Sequence, residues 1–199
     1  MPEISLTDFV DFSISTPHRQ LSKVREIANR GPYDPRFDFW KPMRECIQDH
    51  ADDEGWGTML ADLTDPKKKK RYPATAKMYR KFVAKQNDLK WFKPPAGTWS
   101  YQGLVVRVNP ELGLELGDHK HVVKLYFKDE KLTKPRLKVV FEMIRLGLKL
   151  QDGIVPAVLD IAKGRLILPK GPDDNLLPLL QAQALAFVHL WKAVNPDKL

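Results

Sequence analysis

The sequence predicts an α+β fold: a helical N-terminal region followed by an αβββαββα core with a mainly antiparallel sheet. Three observations carry this expectation. Apolar residues recur at helical spacing through most of residues 1–63 and again over 74–87, 134–148 and 174–194. Between residues 103 and 128 the hydrophobic period drops to two. Glycine, proline and asparagine punctuate the chain where these periods change. The expected organisation is a helical region over 1–63 and an α/β core over 64–199, packed as one unit.

Taken in order, Ser5 and Asp8 have capping-box spacing and Ile4 is placed as its staple, so a helix should run from there to about Ser15. Pro17 opens a second helix that stops at Gly31. Residues 31–42 are aromatic and carry three prolines, which predicts a packed loop. Pro42 then starts a helix through about His50; ADDEGWG should break it, leaving a turn or two over 58–63. Thr64 or Asp65 caps a basic turn led by Pro66. A separate amphipathic helix follows over 74–87, with Met78, Phe82 and Val83 inward. Trp91, Phe92, Pro94, Pro95 and Gly97 read as a connector.

A three-stranded meander is expected next. Leu104, Val106 and Val108 share one face of its first strand, Leu112, Leu114 and Leu116 one face of the second, and Val123, Leu125 and Phe127 one face of the third. Asn109-Pro110-Glu111 and Gly117-Asp118-His119-Lys120 are the turns. The helix over 134–148 carries Leu137, Val140, Phe141, Ile144 and Leu148 on one stripe. Strands over 154–161 and 165–168 join through Lys163-Gly164, and a last helix over 174–194 is striped by Leu176, Leu180, Ala184, Phe187 and Trp191.

The formal charge of +8 is concentrated in one segment. Residues 64–93 hold eleven lysines and arginines against two aspartates, a net of +9, so the other 169 residues carry about −1. Such a segment either attracts phosphate backbones or is a solvated helical face. Lys67, Lys68, Lys69, Lys70, Arg71 and Lys81 are its candidate nucleic-acid contacts, joined by Arg107, Lys124 and Lys128 from the meander. No apolar run approaches the roughly 20 residues of a membrane span, no signal peptide is visible, and Cys46 is the single cysteine. A cytoplasmic protein without internal disulfides is expected.

Glycine-rich nucleotide loops, HExxH and GxSxG are absent. His119 and His121 share one side of an extended segment but lack a third ligand nearby, so no metal site is expected there. His189 reads as the edge of the packed face of the last helix. Asp49, Asp52, Asp53 and Glu54 read as helix caps or breakers. Cys46, with acids close in sequence, should have a raised thiol pKa and make a poor nucleophile. The aromatic loop, with Tyr33, Phe37, Phe39 and Trp40, is a candidate surface for a protein partner. Arg107, Glu115, Lys124, Tyr126 and Lys128 should converge on the outer face of the meander, as a salt-bridged solvent face or as a site in which a carboxylate holds a metal.

From residue 74 to 168 the order is helix, three strands, helix and strands, and HVVKLYFKDEKLTKPRLKVVFEMIRLGL reads as strand, polar loop and amphipathic helix. This resembles the PD-(D/E)XK nuclease-like superfamily, particularly its RecB-like exonuclease branch. In that family an acid on the second strand and a (D/E)xK motif on the third bind a divalent metal and activate water. By that resemblance Glu115 would be the second-strand acid and Lys124 or Lys128 the lysine, with Tyr126 at the place of the missing carboxylate. A site lacking that oxygen ligand binds Mg²⁺ weakly. The resemblance therefore implies a core that binds DNA or RNA without cutting it and has no cofactor; a protein-interaction module and a Mg²⁺-dependent nuclease are the alternatives.

Overall fold

The computed structural model describes residues 1–128, 130–150, 153–171 and 175–195. The helices are α1 (Leu6–Ser13), α2 (Pro17–Ala28), α3 (Lys41–Gln48), α4 (Asp53–Ala61), α5 (Pro66–Val83), α6 (Lys134–Leu148) and α7 (Leu176–Val194). The strands are β1 (Glu3–Ser5), β2 (Lys90–Phe92), β3 (Gly97–Tyr101), β4 (Leu104–Val108), β5 (Leu112–Leu116), β6 (His119–Tyr126), β7 (Ile154–Asp160) and β8 (Arg165–Ile167). The α+β class, the leading helices and the mainly antiparallel pairing agree with the sequence reading. Among the described residues no helix is long and apolar enough to cross a membrane.

The strands divide into two sheets, ordered β1-β4-β3 and β2-β5-β6-β7-β8. This corrects the expected meander. β5 and β6 form the hairpin read at Gly117-Asp118, but β4 pairs with β3 and β1 in the smaller sheet, with Trp99 opposite Val106. Alternation identified an apolar face of β4, but a face does not specify which neighbouring backbone completes its ladder. Residues 90–92, expected in a connector, are the edge strand of the larger sheet, with Lys90 opposite Glu115. β6 and β7 run parallel, joined through α6, with Val122 opposite Pro156.

Because helices cover both faces of the five-stranded sheet, successive residues of β6 enter different cores. Val122 and Tyr126 join Val158, the α6 residues Val140, Met143 and Ile144, and Phe9, Phe12 and Phe187 of α1 and α7. Val123 and Leu125 join Leu112, Leu114, Ala157 and Leu159 against Met43, Ile47, Trp56, Tyr72, Tyr79 and Phe82 of α3, α4 and α5. The face of β6 expected to be open and polar is thus covered, and Tyr126 is buried. Gly147 lets α6 lie close to the smaller sheet: a Cβ there would stand 2.5 Å from a methyl of Val108.

Two helices differ from expectation. α4 begins at Asp53, because the Asp52 carboxylate accepts the Gly55 N–H at 2.9 Å and caps what looked like a break. α5 is one helix, capped by Asp65, that continues through Pro73. Proline in a helix interior costs about 3 kcal/mol; here the burial of Tyr72, Ala76, Tyr79 and Phe82 on both sides of it opposes that cost. α7 is described from Leu176, and the expected start at residue 174 lies outside the described residues.

The predicted first cap is present. Asp8 donates its N–H to Ser5 Oγ at 3.1 Å, and the Ser5 hydroxyl donates back to the Asp8 carboxylate at 2.7 Å. Arg30 adds hydrogen bonds of 2.9 and 3.0 Å and Lys23 an ion pair of 3.1 Å. Burial alone would raise the Asp8 carboxyl, yet the bonds from Arg30 and Ser5 and the charges of Lys23 and Arg30 hold it at about 2. A carboxyl that titrates lower in the folded than in the unfolded chain stabilises fully above the unfolded value and loses that contribution as pH falls. Asp8 should therefore contribute about 2 kcal/mol at neutral pH, lost between about pH 4 and 2. Urea midpoints measured from pH 6 to 2 check this: Asp8→Asn should flatten the acid limb, and parallel curves would refute it.

Candidate nucleic-acid interface

α5 carries eight lysines and arginines and no acid between Pro66 and Val83. Its inward face, Tyr72, Ala76, Tyr79 and Phe82, anchors it on the large sheet. Lys67, Lys69, Lys70, Lys77 and Lys81 are exposed, and no carboxylate among the described residues pairs with their side chains. Arg71 is exposed at the end of the run. Lys68 lies 5.8 Å from the centre of the Phe39 ring, and Arg80 pairs with Asp53. The four consecutive lysines occupy the first turns of the helix, where the unbonded N–H groups and the macrodipole already place positive charge.

Beside this face the segment after α3, with α4, α5 and β2, lines a cleft of about 570 Å³. Trp56, Leu60, Tyr79 and Val83 contribute apolar surface; Lys77 and Lys81 bring two cations to it, and Arg80 a third that is paired with Asp53, itself a lining residue. His50 and Trp91 also line it, their rings stacked at 4.2 Å and 23°. His50 sits just past α3 with φ of +53°. Its N–H bonds to the Ile47 carbonyl and that of Ala51 to the Cys46 carbonyl, a Schellman end in which glycine is the usual residue at the left-handed position. Burial pushes the His50 imidazole below its ordinary value, which favours the neutral ring at pH 7. Tyr79, 3% exposed, stacks obliquely on Trp56, and its hydroxyl has no partner among the described residues.

No family model, curated protein or solved structure matches this chain.

The meander constellation is not assembled. Arg107 lies in the smaller sheet, 3.3 Å from Glu3. Glu115 stands opposite Lys120 and 3.8 Å from Lys90, while Lys124 is four residues further along β6, about 13 Å at strand rise. Lys124 pairs with Glu111, at side-chain exposures of 18% and 13%. Lys128 pairs with Asp11 at 2.7 Å, and Arg136 holds the same carboxylate at 2.5 Å. Lys124 and Lys128 both line a smaller cavity of about 170 Å³ under α1 and α6, each already neutralised by an acid. Glu111, Asp11, His50 and Trp91 are the consequential residues that sequence reasoning missed or placed elsewhere. Their partners are distant in sequence, and no local period marks them.

The aromatic loop also divides. Tyr33 and Phe37 are 70% and 84% exposed. Phe39 and Trp40, by contrast, are half-buried and pack with Tyr72, and Trp40 also stacks on Phe127 at 4.9 Å. Burial and the nearby Asp49 and Glu45 raise the Cys46 thiol, as its neighbours predicted. His189 is exposed rather than packed. His121 is buried, with its rings 6.5 Å from those of His119, and burial lowers its pKa. Among the described residues no three metal-ligating side chains converge.

Proposed function

We propose that this chain binds nucleic acid through the exposed face of α5, with Lys67, Lys69, Lys70, Arg71 and Lys81 as the contacts to phosphate. The observation that carries this reading is the lysine run over the first turns of the helix. Cations are least favourable there, and a polyanion is the partner that turns the arrangement into an attraction. Lys124, Lys128 and Arg107 have carboxylate partners and are secondary. In this reading the α/β core is nuclease-like but does not cut: Glu115 is remote from Lys124, and Tyr126 lies beneath α6.

The test is fluorescence anisotropy of a labelled 20-nucleotide strand against salt. Five phosphate contacts give a slope of log K on log salt of about −3.5, so affinity should fall about a hundredfold between 50 and 200 mM salt. Absence of binding at the lowest salt, or binding indifferent to salt, refutes the reading.

A further inference from the structure

We infer that the cleft between α4 and α5 takes one unstacked base of a single strand, so that the ligand is single-stranded rather than duplex nucleic acid. The inference rests on the cationic reading of α5 and deepens it. Lys70, Lys77 and Lys81 follow one another at intervals of seven and four residues, which on a helix places them on one stripe. The lower two line the cleft and Lys70 extends the stripe toward the lysine run. A backbone lying on this stripe passes along the lip of a cleft with aromatic surface inside.

The cleft has the size and lining of a site for a flat, partly apolar group. Lys77 and Lys81 complement a phosphate, and the outer faces of the mutually stacked His50 and Trp91 rings supply the π-surface on which a base of any identity stacks. In a duplex the bases are stacked inside the helix and out of reach of such a cleft.

The local chemistry around it is unusual in a consistent way. His50 occupies a left-handed position suited to glycine, Pro73 lines the cleft from inside a helix, and the lysine run sits at the helix end that opposes it. Each is unfavourable by itself, and such departures concentrate where a protein meets a ligand.

The experiment compares four probes on the full chain at 100 mM salt: a 20-nucleotide single strand, the same strand with its bases removed, the 20-base-pair duplex, and polyglutamate. The single strand should bind at least about fivefold more tightly than its abasic counterpart, the yield expected from stacking one base. His50→Gly suits the backbone at that position and removes one ring. It should bring the intact strand toward the abasic level, leave the duplex and abasic affinities unchanged, and not lower the melting temperature. Trp91→Leu, which keeps an apolar residue in β2, should act in the same direction.

Equal binding of intact and abasic strands, with His50→Gly silent, overturns the base-binding inference and leaves the cationic reading standing. Failure of every probe to bind at 20 mM salt overturns both. Polyglutamate binding as tightly as the single strand also overturns both, because the surface would then recognise an acidic polypeptide.

Discussion

Replacing Glu111 with alanine should lower stability by about 3 kcal/mol. β5 begins at Leu112, opposite Val123, so the edge of β6 beyond that point has no strand beside it. Glu111 fills the gap. Its N–H donates to the Val123 carbonyl at 3.1 Å, and its carboxylate accepts the Leu125 N–H at 2.9 Å and pairs with Lys124. Gln48 of α3 donates to its carbonyl at 3.0 Å. Alanine would preserve the backbone bonds but leave the Leu125 N–H and a largely buried ammonium without a partner. Removing one member of a buried pair costs more than the pair contributes, because the remaining charge is desolvated for nothing. In a chain of this length the melting temperature should fall by about 6–12 °C. Glu111→Gln retains an oxygen for Leu125 and should cost less. A change below about 0.5 kcal/mol for the alanine variant, measured by urea denaturation, would contradict the role assigned to this carboxylate.

The combined variant Lys67→Gln, Lys69→Gln, Lys70→Gln, Lys81→Gln should separate binding from folding. All four side chains are exposed and unpaired by any described carboxylate, and glutamine is nearly as good a helix former as lysine. Removing four phosphate contacts should reduce the salt slope by about 3 and weaken a single strand about 600-fold at 0.1 M salt. Stability should move the other way. Each lysine lifted from the first turns relieves an unfavourable interaction with the helix dipole of about 0.3 kcal/mol or more, so the variant should melt slightly higher than the parent. Lost affinity together with unchanged or raised stability is the signature of residues kept for a ligand. If the variant binds as the parent does, α5 is a solvated helical face and the interface lies elsewhere.

The parts of the fold legible in the sequence are those written locally. α6 spans the predicted residues because its apolar stripe, the Thr133 cap and Pro135 all agree. The α1 cap and the β5–β6 hairpin were equally local. β3 also carried a period-two signal, Trp99 and Tyr101 against Thr98 and Ser100, which the prolines just before it obscured. Sheet membership was not legible, since the pairing of β4 with β1 joins residues about a hundred positions apart. The charges at the end of β6 misled for the same reason: Lys128, just past the strand, is neutralised by Asp11, which no pattern around residue 128 announces. At the candidate interface, the charge of α5 could be read from composition alone. The cleft could not, because it depends on a left-handed His50 meeting Trp91 across 41 positions.

The packing of the first helices on the last bears on the order in which the chain is made. Phe12 meets Phe187 at 5.0 Å, and Gln20 donates to Gln183 at 2.7 Å. A ribosome that has released α1 and α2 must still synthesise well over a hundred residues before their partner emerges. Throughout that interval Phe12 lacks its Phe187 contact, and the nascent α1 is a natural client for holding chaperones. The core that α1 begins is completed only when α7 joins it.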